Sequence, residues 1–180
     1  MARTLDRISP ELQEFLEAQP VFFVATAPSG AGGHVNVSPK GLDTFRVLDP
    51  QTVAYLDLTG SGIETVSHLR QNGRITLMFC AFNGRPDIVR LSGTGEVLAL
   101  DDPAASGLVE RLPGHPGARS VIHVALDRIS SSCGYAVPLM DFVGNRDELT
   151  KWSVKKGADG LVDYRAEKNA TSVDGLPGLV

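Results

Sequence analysis

Residues 55–74 read YLDLTGSGIETVSHLRQNGR, and the period of the chain changes in their middle. Tyr55 to Leu58 closes an apolar, β-rich run. Thr59 to Gly62 is a small-residue turn. Ile63, Val66 and Leu69 then recur at helical spacing until Asn72-Gly73 ends the helix. Ser61 followed three residues later by Glu64 fits a capping box, so the pattern predicts that Ser61 caps the helix while Glu64 reaches back. Gly60 and Gly62 allow a tight bend, and the first amide N–H groups of the helix point into it. Such a turn seats an anion, a phosphate for example. It is equally the ordinary join between a strand and a well-capped helix. The stretch alone leaves both readings open.

Working outward, the 180 residues suit one domain with a sizeable core, at 42% hydrophobic and 21% charged. The formal net charge of −4 argues against a broad nucleic-acid surface. No apolar run approaches the ~20 residues of a membrane span. The N-terminal MARTLDRISPELQEF has no long apolar stretch, so no secretory signal is expected and the Asn169-Ala170-Thr171 sequon carries no meaning. Cys80 and Cys133 lie far apart and are expected to be reduced core thiols of a cytoplasmic protein.

Ser9-Pro10-Glu11 predicts a helix start, with Leu12, Phe15 and Leu16 on one face up to about Ala18. Strands are expected over Val21–Ala27, His34–Ser38, Phe45–Leu48, Val53–Leu58, Arg74–Phe82, Ile88–Leu100 and Arg119–Ser130. Pro39-Lys40-Gly41 reads as a break, and Gly93 and Gly95 mark a bulge or bend. Asp101-Asp102-Pro103 opens a short helix. Tight turns join most strands, which favours an antiparallel barrel of about six strands over a wound parallel sheet. Past Ser131 the chain is rich in turn-formers and aromatics. A helix from about Asn145 through Trp152 and Val154 is expected to end near Gly157, and Lys168 to Val180 reads as an irregular arm, frayed or pinned on a neighbouring subunit.

The runs NVSPKG (36–41), VAYLDLTGSGIET (53–65), NGRITLMFCAF (72–82) and VRLSGTGEV (89–97) together resemble the flavin-binding split-barrel family related to pyridoxamine 5′-phosphate oxidase. The resemblance covers roughly residues 8–135. SCGYAVP (132–138) and SVDGLPG (172–178) further resemble a bacterial subgroup described as flavin-binding proteins. The family implies a mainly β chain with flanking helices, a six-stranded antiparallel split β-barrel that dimerises with FMN at the subunit interface. It implies a barrel domain over 1–135, with 136–180 a helix and arm packed on the barrel or on the dimer partner. Carried onto this sequence, Ser38, Pro39, Lys40 and Gly41 border the flavin ring or ribityl chain. Thr59, Gly60, Ser61, Gly62 and Thr65 surround the phosphate.

One departure stands out. The oxidases carry an Arg-Lys pair just inside the turn, and this chain has Glu64-Thr65 there. Lys40, Arg74 and Arg90 are the cations expected to compensate, and Arg74 joins the expected cofactor-binding set. The substrate-phosphate motifs of the oxidases are not recognisable, so pyridoxamine phosphate is not the expected substrate. Asp57 reads as a backbone or cap partner rather than a general base. His34, His68, His115 and His123 have no metal-ligand spacing, and no nucleophile elbow is present. The resemblance implies a homodimeric, FMN-dependent oxidoreductase acting on a small molecule. A non-catalytic flavin store or sensor, and a split barrel using a deazaflavin, haem or no cofactor, are the alternatives.

Overall fold

The computed structural model describes residues 3–179. Its elements run β1 (Arg3–Leu5), α1 (Pro10–Glu17), β2 (Phe22–Thr26), β3 (Asn36–Lys40), β4 (Phe45–Asp49), β5 (Thr52–Leu58), α2 (Glu64–Asn72), β6 (Arg74–Cys80) and β7 (Ile88–Ala99). A 3₁₀ turn (Pro103–Ala105) leads into α3 (Ser106–Val109), β8 (Ala118–Ser132) and α4 (Glu148–Lys168). The strands form one sheet in the order β3-β2-β6-β7-β8-β5-β4, with β1 on β8. Every pairing is antiparallel.

Among the described residues there are eight strands rather than the expected six. The strand added to the expected ranges is β1, and its reason lies in β8, whose edge runs on past the end of β5. Its first half, Ala118 to Ala125, pairs with β5, and Ile129 to Ser131 is left to take Leu5 to Arg3 as β1. Arg3-Thr4-Leu5 has no alternation of its own, so only the open ladder on β8 makes it a strand. A second shift concerns β3, which runs through the expected break and pairs Pro39 with Phe23. As the edge of the sheet, β3 needs no ladder N–H on its outer side, and proline is tolerated there.

The sheet curls on itself, an arrangement consistent with a split barrel. Phe45 of the edge strand β4 lies 4.8 Å from Phe79 of β6 and 5.5 Å from Phe22 of β2, ring centre to ring centre. Tyr55 completes this aromatic centre, 5.6 Å from Phe22. Each such buried apolar side chain stabilises the fold by about 1.5–3 kcal/mol. The curl brings the edges β3 and β4 close, and the link between them turns through left-handed Leu42 and Asp43.

The bulge arrives where Gly93 predicted it, with a register shift between Ser92 and Gly93 opposite β8. A Cβ at Gly93 would sit 2.0 Å from the Ala125 carbonyl oxygen, so the strands close only over glycine. α1 starts as expected, with the Leu12 amide donating to Ser9 Oγ at 3.2 Å. α4 breaks at Gly157, where its helix was expected to end, and then resumes to Lys168. The resumed part docks on the barrel, and Trp152 packs edge-on against its Tyr164. Residues 169–179 fold over α2 of their own chain, Ser67 Oγ donating to the Leu176 carbonyl. Cys80 is buried, but Cys133 is exposed, because β8 ends one residue before it.

Candidate functional site

β5 leads into the turn Thr59–Gly62, and α2 leaves it. Beside them β3 presents Asn36, Ser38 and Lys40 on one face, with Val37 and Pro39 on the other. Between these elements lies a cleft of about 260 Å³. Ser38, Lys40, Gly60, Ser61, Gly62 and Thr65 all line it, together with Glu64 and Arg119. The other expected residues fall around it. Pro39 and Gly41 flank the β3 wall. Thr59 is buried behind the turn, its Oγ1 accepting from Arg165 Nε at 3.0 Å. Arg74 is not in the cleft and donates to the Pro28 carbonyl at 3.3 Å. It starts the strand after the far end of α2, and nine helical residues carry it about 13 Å away. Arg90 is also elsewhere, donating to Ser132 Oγ at 3.2 Å.

The capping box does not form. α2 begins at Glu64, its N-cap is Ile63, and no side chain caps it. Glu64 is therefore the first helical residue instead of the third. Its Oε1 accepts from the Val173 amide at 3.2 Å, and its Oε2 lies 2.6 Å from where a Gly62 Cβ would be. The carboxylate thus folds over the turn towards the C-terminal arm. Ser67 is the first residue to return a helical bond, to Ile63 O at 3.0 Å, which leaves the amides of the first turn for an external partner.

Asp57 is the floor of the site rather than a backbone or cap partner. It is wholly buried, and it accepts from Lys40 Nζ at 3.0 Å and from Arg119 Nε at 2.5 Å. Burial pushes its carboxyl up, but the charges of Lys40 and Arg119 outweigh that and hold it below the ordinary value. Arg119 also donates to the Gly62 carbonyl and to Asn169 Oδ1, each at 3.0 Å. Lys40 is the cation nearer solvent, with its side chain 20% exposed against 3% for Arg119. Both cations therefore pair with Asp57, and Glu64 lines the same cleft.

A polar chain runs inward from the cleft. Ser38 Oγ donates to Asn36 Oδ1 at 3.1 Å, and Asn36 Nδ2 donates to Thr65 Oγ1 at 3.0 Å and Thr26 Oγ1 at 3.3 Å. Thr26 Oγ1 meets His68 Nδ1 at 2.9 Å. His68 is buried, and its Nε2 has no partner among the described residues. Desolvation lowers its pKa, so the ring is neutral at pH 7.

Sequence reasoning misses Arg119, Asn169 and Arg165. Arg119 gives the one usable signal, a charge opening the apolar run SVIHVAL. Asn169 and Arg165 sit in a polar stretch without any pattern, and only the return of α4 to the barrel brings them in.

Known proteins resemble this chain in sequence and fold. Residues 8–133 match the family model described as pyridoxamine 5′-phosphate oxidase. An Aspergillus flavus protein, described as pyridoxamine 5′-phosphate oxidase family protein ustO, is 42% identical over 193 residues, spanning 97% of this chain and 76% of that protein. Among solved structures, HupZ of Group A Streptococcus is 26% identical, with a TM-score of 0.52 over 68% of this chain and 91% of its own. An FAD-binding protein of Mesorhizobium loti shares the fold at 16% identity, with a TM-score of 0.51 over 73% of this chain and 95% of that one.

Proposed function

Because the chain belongs to the pyridoxamine 5′-phosphate oxidase family, we propose that the cleft is the phosphate end of a flavin site and that the protein binds FMN. The observation that carries this reading is the convergence of the Gly60–Gly62 turn, the start of α2, Ser38 and Lys40 on one cleft. The residues fit the group. The amides around the turn supply donors, Ser38, Ser61 and Thr65 supply hydroxyls, and Lys40 supplies a charge that solvent can reach. Glu64 is the opposing feature. The Val173 amide holds one of its oxygens on the arm side. The N-terminal unit up to about residue 135 is then the cofactor-binding domain, and the segment after it covers the turn.

Bound FMN would supply hydride-transfer chemistry, and we assign the protein to flavin-dependent oxidoreductases of small organic molecules. The chain's own residues bind and orient. Lys40 balances charge at the phosphate or ring, Asp57 fixes Lys40, and the Asn36 network fixes Ser38 and Thr65. Pyridoxamine phosphate is not the substrate we propose, because the substrate-phosphate motifs of the oxidases are not recognisable in the sequence. A homodimer belongs to the same reading, supported by exposed Val37 on the edge strand and Val35 just before it, and by exposed Tyr135, Leu139, Phe142 and Val143 after β8. Cytoplasmic residence agrees with two free cysteines. Among the described residues no helix is long and apolar enough to cross a membrane.

Glu64 favours one second reading, a split barrel that takes a deazaflavin, haem or no cofactor. Anaerobic mixing of the FMN-loaded protein with reduced nicotinamide tests the first. Bleaching of the flavin band, with reoxidation by an added acceptor, supports the oxidoreductase. A loaded protein that no donor reduces is a flavin store or sensor, and a protein that takes up no FMN belongs to the second reading.

A further inference from the structure

The glycine turn is gripped from behind by a residue outside the barrel. Asn169 follows α4 and opens the C-terminal arm, and it is completely buried. Its Nδ2 donates to the Gly60 carbonyl at 2.9 Å and the Ser61 carbonyl at 3.5 Å, while its Oδ1 accepts from Arg119. These partners fix the amide orientation, because a guanidinium only donates and a carbonyl only accepts. Arg119 adds the Gly62 carbonyl, so three consecutive carbonyls are drawn to one side. The peptides of this turn are trans, so the N–H groups of Ser61, Gly62 and Ile63 point the opposite way. The arm is tied to the same residue: Leu179 N donates to Asn169 O at 3.0 Å, and Gly178 packs so closely that a Cβ there would lie 2.0 Å from that oxygen.

The geometry points to Asn169 as the positioning residue of the anion seat, with docking of the arm (169–179) and phosphate binding as one coupled equilibrium. This rests on reading the cleft as the phosphate end of a flavin site. A turn with glycines at 60 and 62 has peptide planes free to rotate, and a rotated plane would offer a carbonyl where the phosphate needs a donor. Asn169 and Arg119 remove that freedom before the ligand arrives. The arm brings its own ties, the Val173 amide on Glu64 and Asp174 Oδ1 at 2.7 Å from His34 Nδ1 at the entry to β3. Whatever binds tighter with the arm docked must, by linkage, dock the arm tighter.

The test uses FMN and riboflavin, which share ring and ribityl chain and differ by the phosphate. Asn169→Asp keeps the size and the acceptor for Arg119 but turns the donor towards Gly60 and Ser61 into an acceptor. Affinities measured by flavin fluorescence should fall at least about tenfold for FMN and stay within about threefold for riboflavin. In the wild type, hydrogen exchange of residues 169–179 should slow with FMN and not with riboflavin. Equal losses for both ligands, or an unchanged FMN affinity, overturn the assignment of Asn169 alone. If the variant does not fold, the wild-type exchange decides, and an arm indifferent to FMN overturns the coupling. A wild type that binds FMN no tighter than riboflavin removes the phosphate reading itself, and the role of Asn169 falls with it.

Discussion

Asp57 shows how the site's charges are organised at the level of single residues. A carboxylate with no solvent contact is tolerable only because Lys40 and Arg119 both reach it. Replacing it strands two cations, so Asp57→Asn should cost about 3–5 kcal/mol in denaturant unfolding. Its folded pKa lies below the unfolded one, so the stability it contributes is complete above the ordinary carboxylate value of about 3.9 and is lost as pH falls through the lower folded value. Burial lowers His68 and His115 too, so stability should already decline as pH drops below about 6.5, less steeply in His68→Gln. Lys40→Ala leaves Asp57 paired with Arg119 and should weaken FMN at least about tenfold, whereas an unchanged dissociation constant removes Lys40 from the site. Glu64→Gln discharges the carboxylate at the turn and should tighten FMN severalfold. No change would mean that Glu64 stays clear of the phosphate.

Two helix starts separate pattern from structure among the elements. Ser9 caps α1 through the Leu12 amide, and Ser9→Ala should cost about 1 kcal/mol in thermal or denaturant unfolding. Ser61 fits the same pattern but caps nothing, so Ser61→Ala should change stability by less than about 0.5 kcal/mol while weakening FMN. The difference was not legible, because the capping box needs Glu64 at the third helical position and the turn runs on to Ile63 first. Strands β2 and β4 to β8 were legible because each has its own β-rich apolar run, whereas β3 lies two residues beyond its expected range because Pro39 reads as a break. β1 and the resumed half of α4 were not: Arg3 to Leu5 pairs only because β8 offers an open ladder, and Ala158 to Lys168 follows a glycine that does end the preceding helix.

Across the whole molecule, the cleft joins chain segments far apart in sequence. The resemblance carried Ser38, Lys40, Gly60, Ser61, Gly62 and Thr65 from sequence to cleft, since these lie in contiguous motifs. Arg119 and Asn169 stand 57 and 109 positions from the carbonyls they hold, and only the curled sheet and the returning helix bring them there. The same curl leaves β3 as an edge strand with Val37 exposed. In solution the protein should sediment as twice its 19.2 kDa, and Leu139→Glu with Val143→Glu should yield a monomer if that exposed segment is the contact. The central claim, a flavin held by the glycine turn, meets its most direct test in the visible absorbance spectrum of the purified protein before and after adding FMN. A yellow protein, or a colourless one that takes up FMN and releases it on denaturation, is the expected result. A colourless protein that leaves added FMN unperturbed would contradict it.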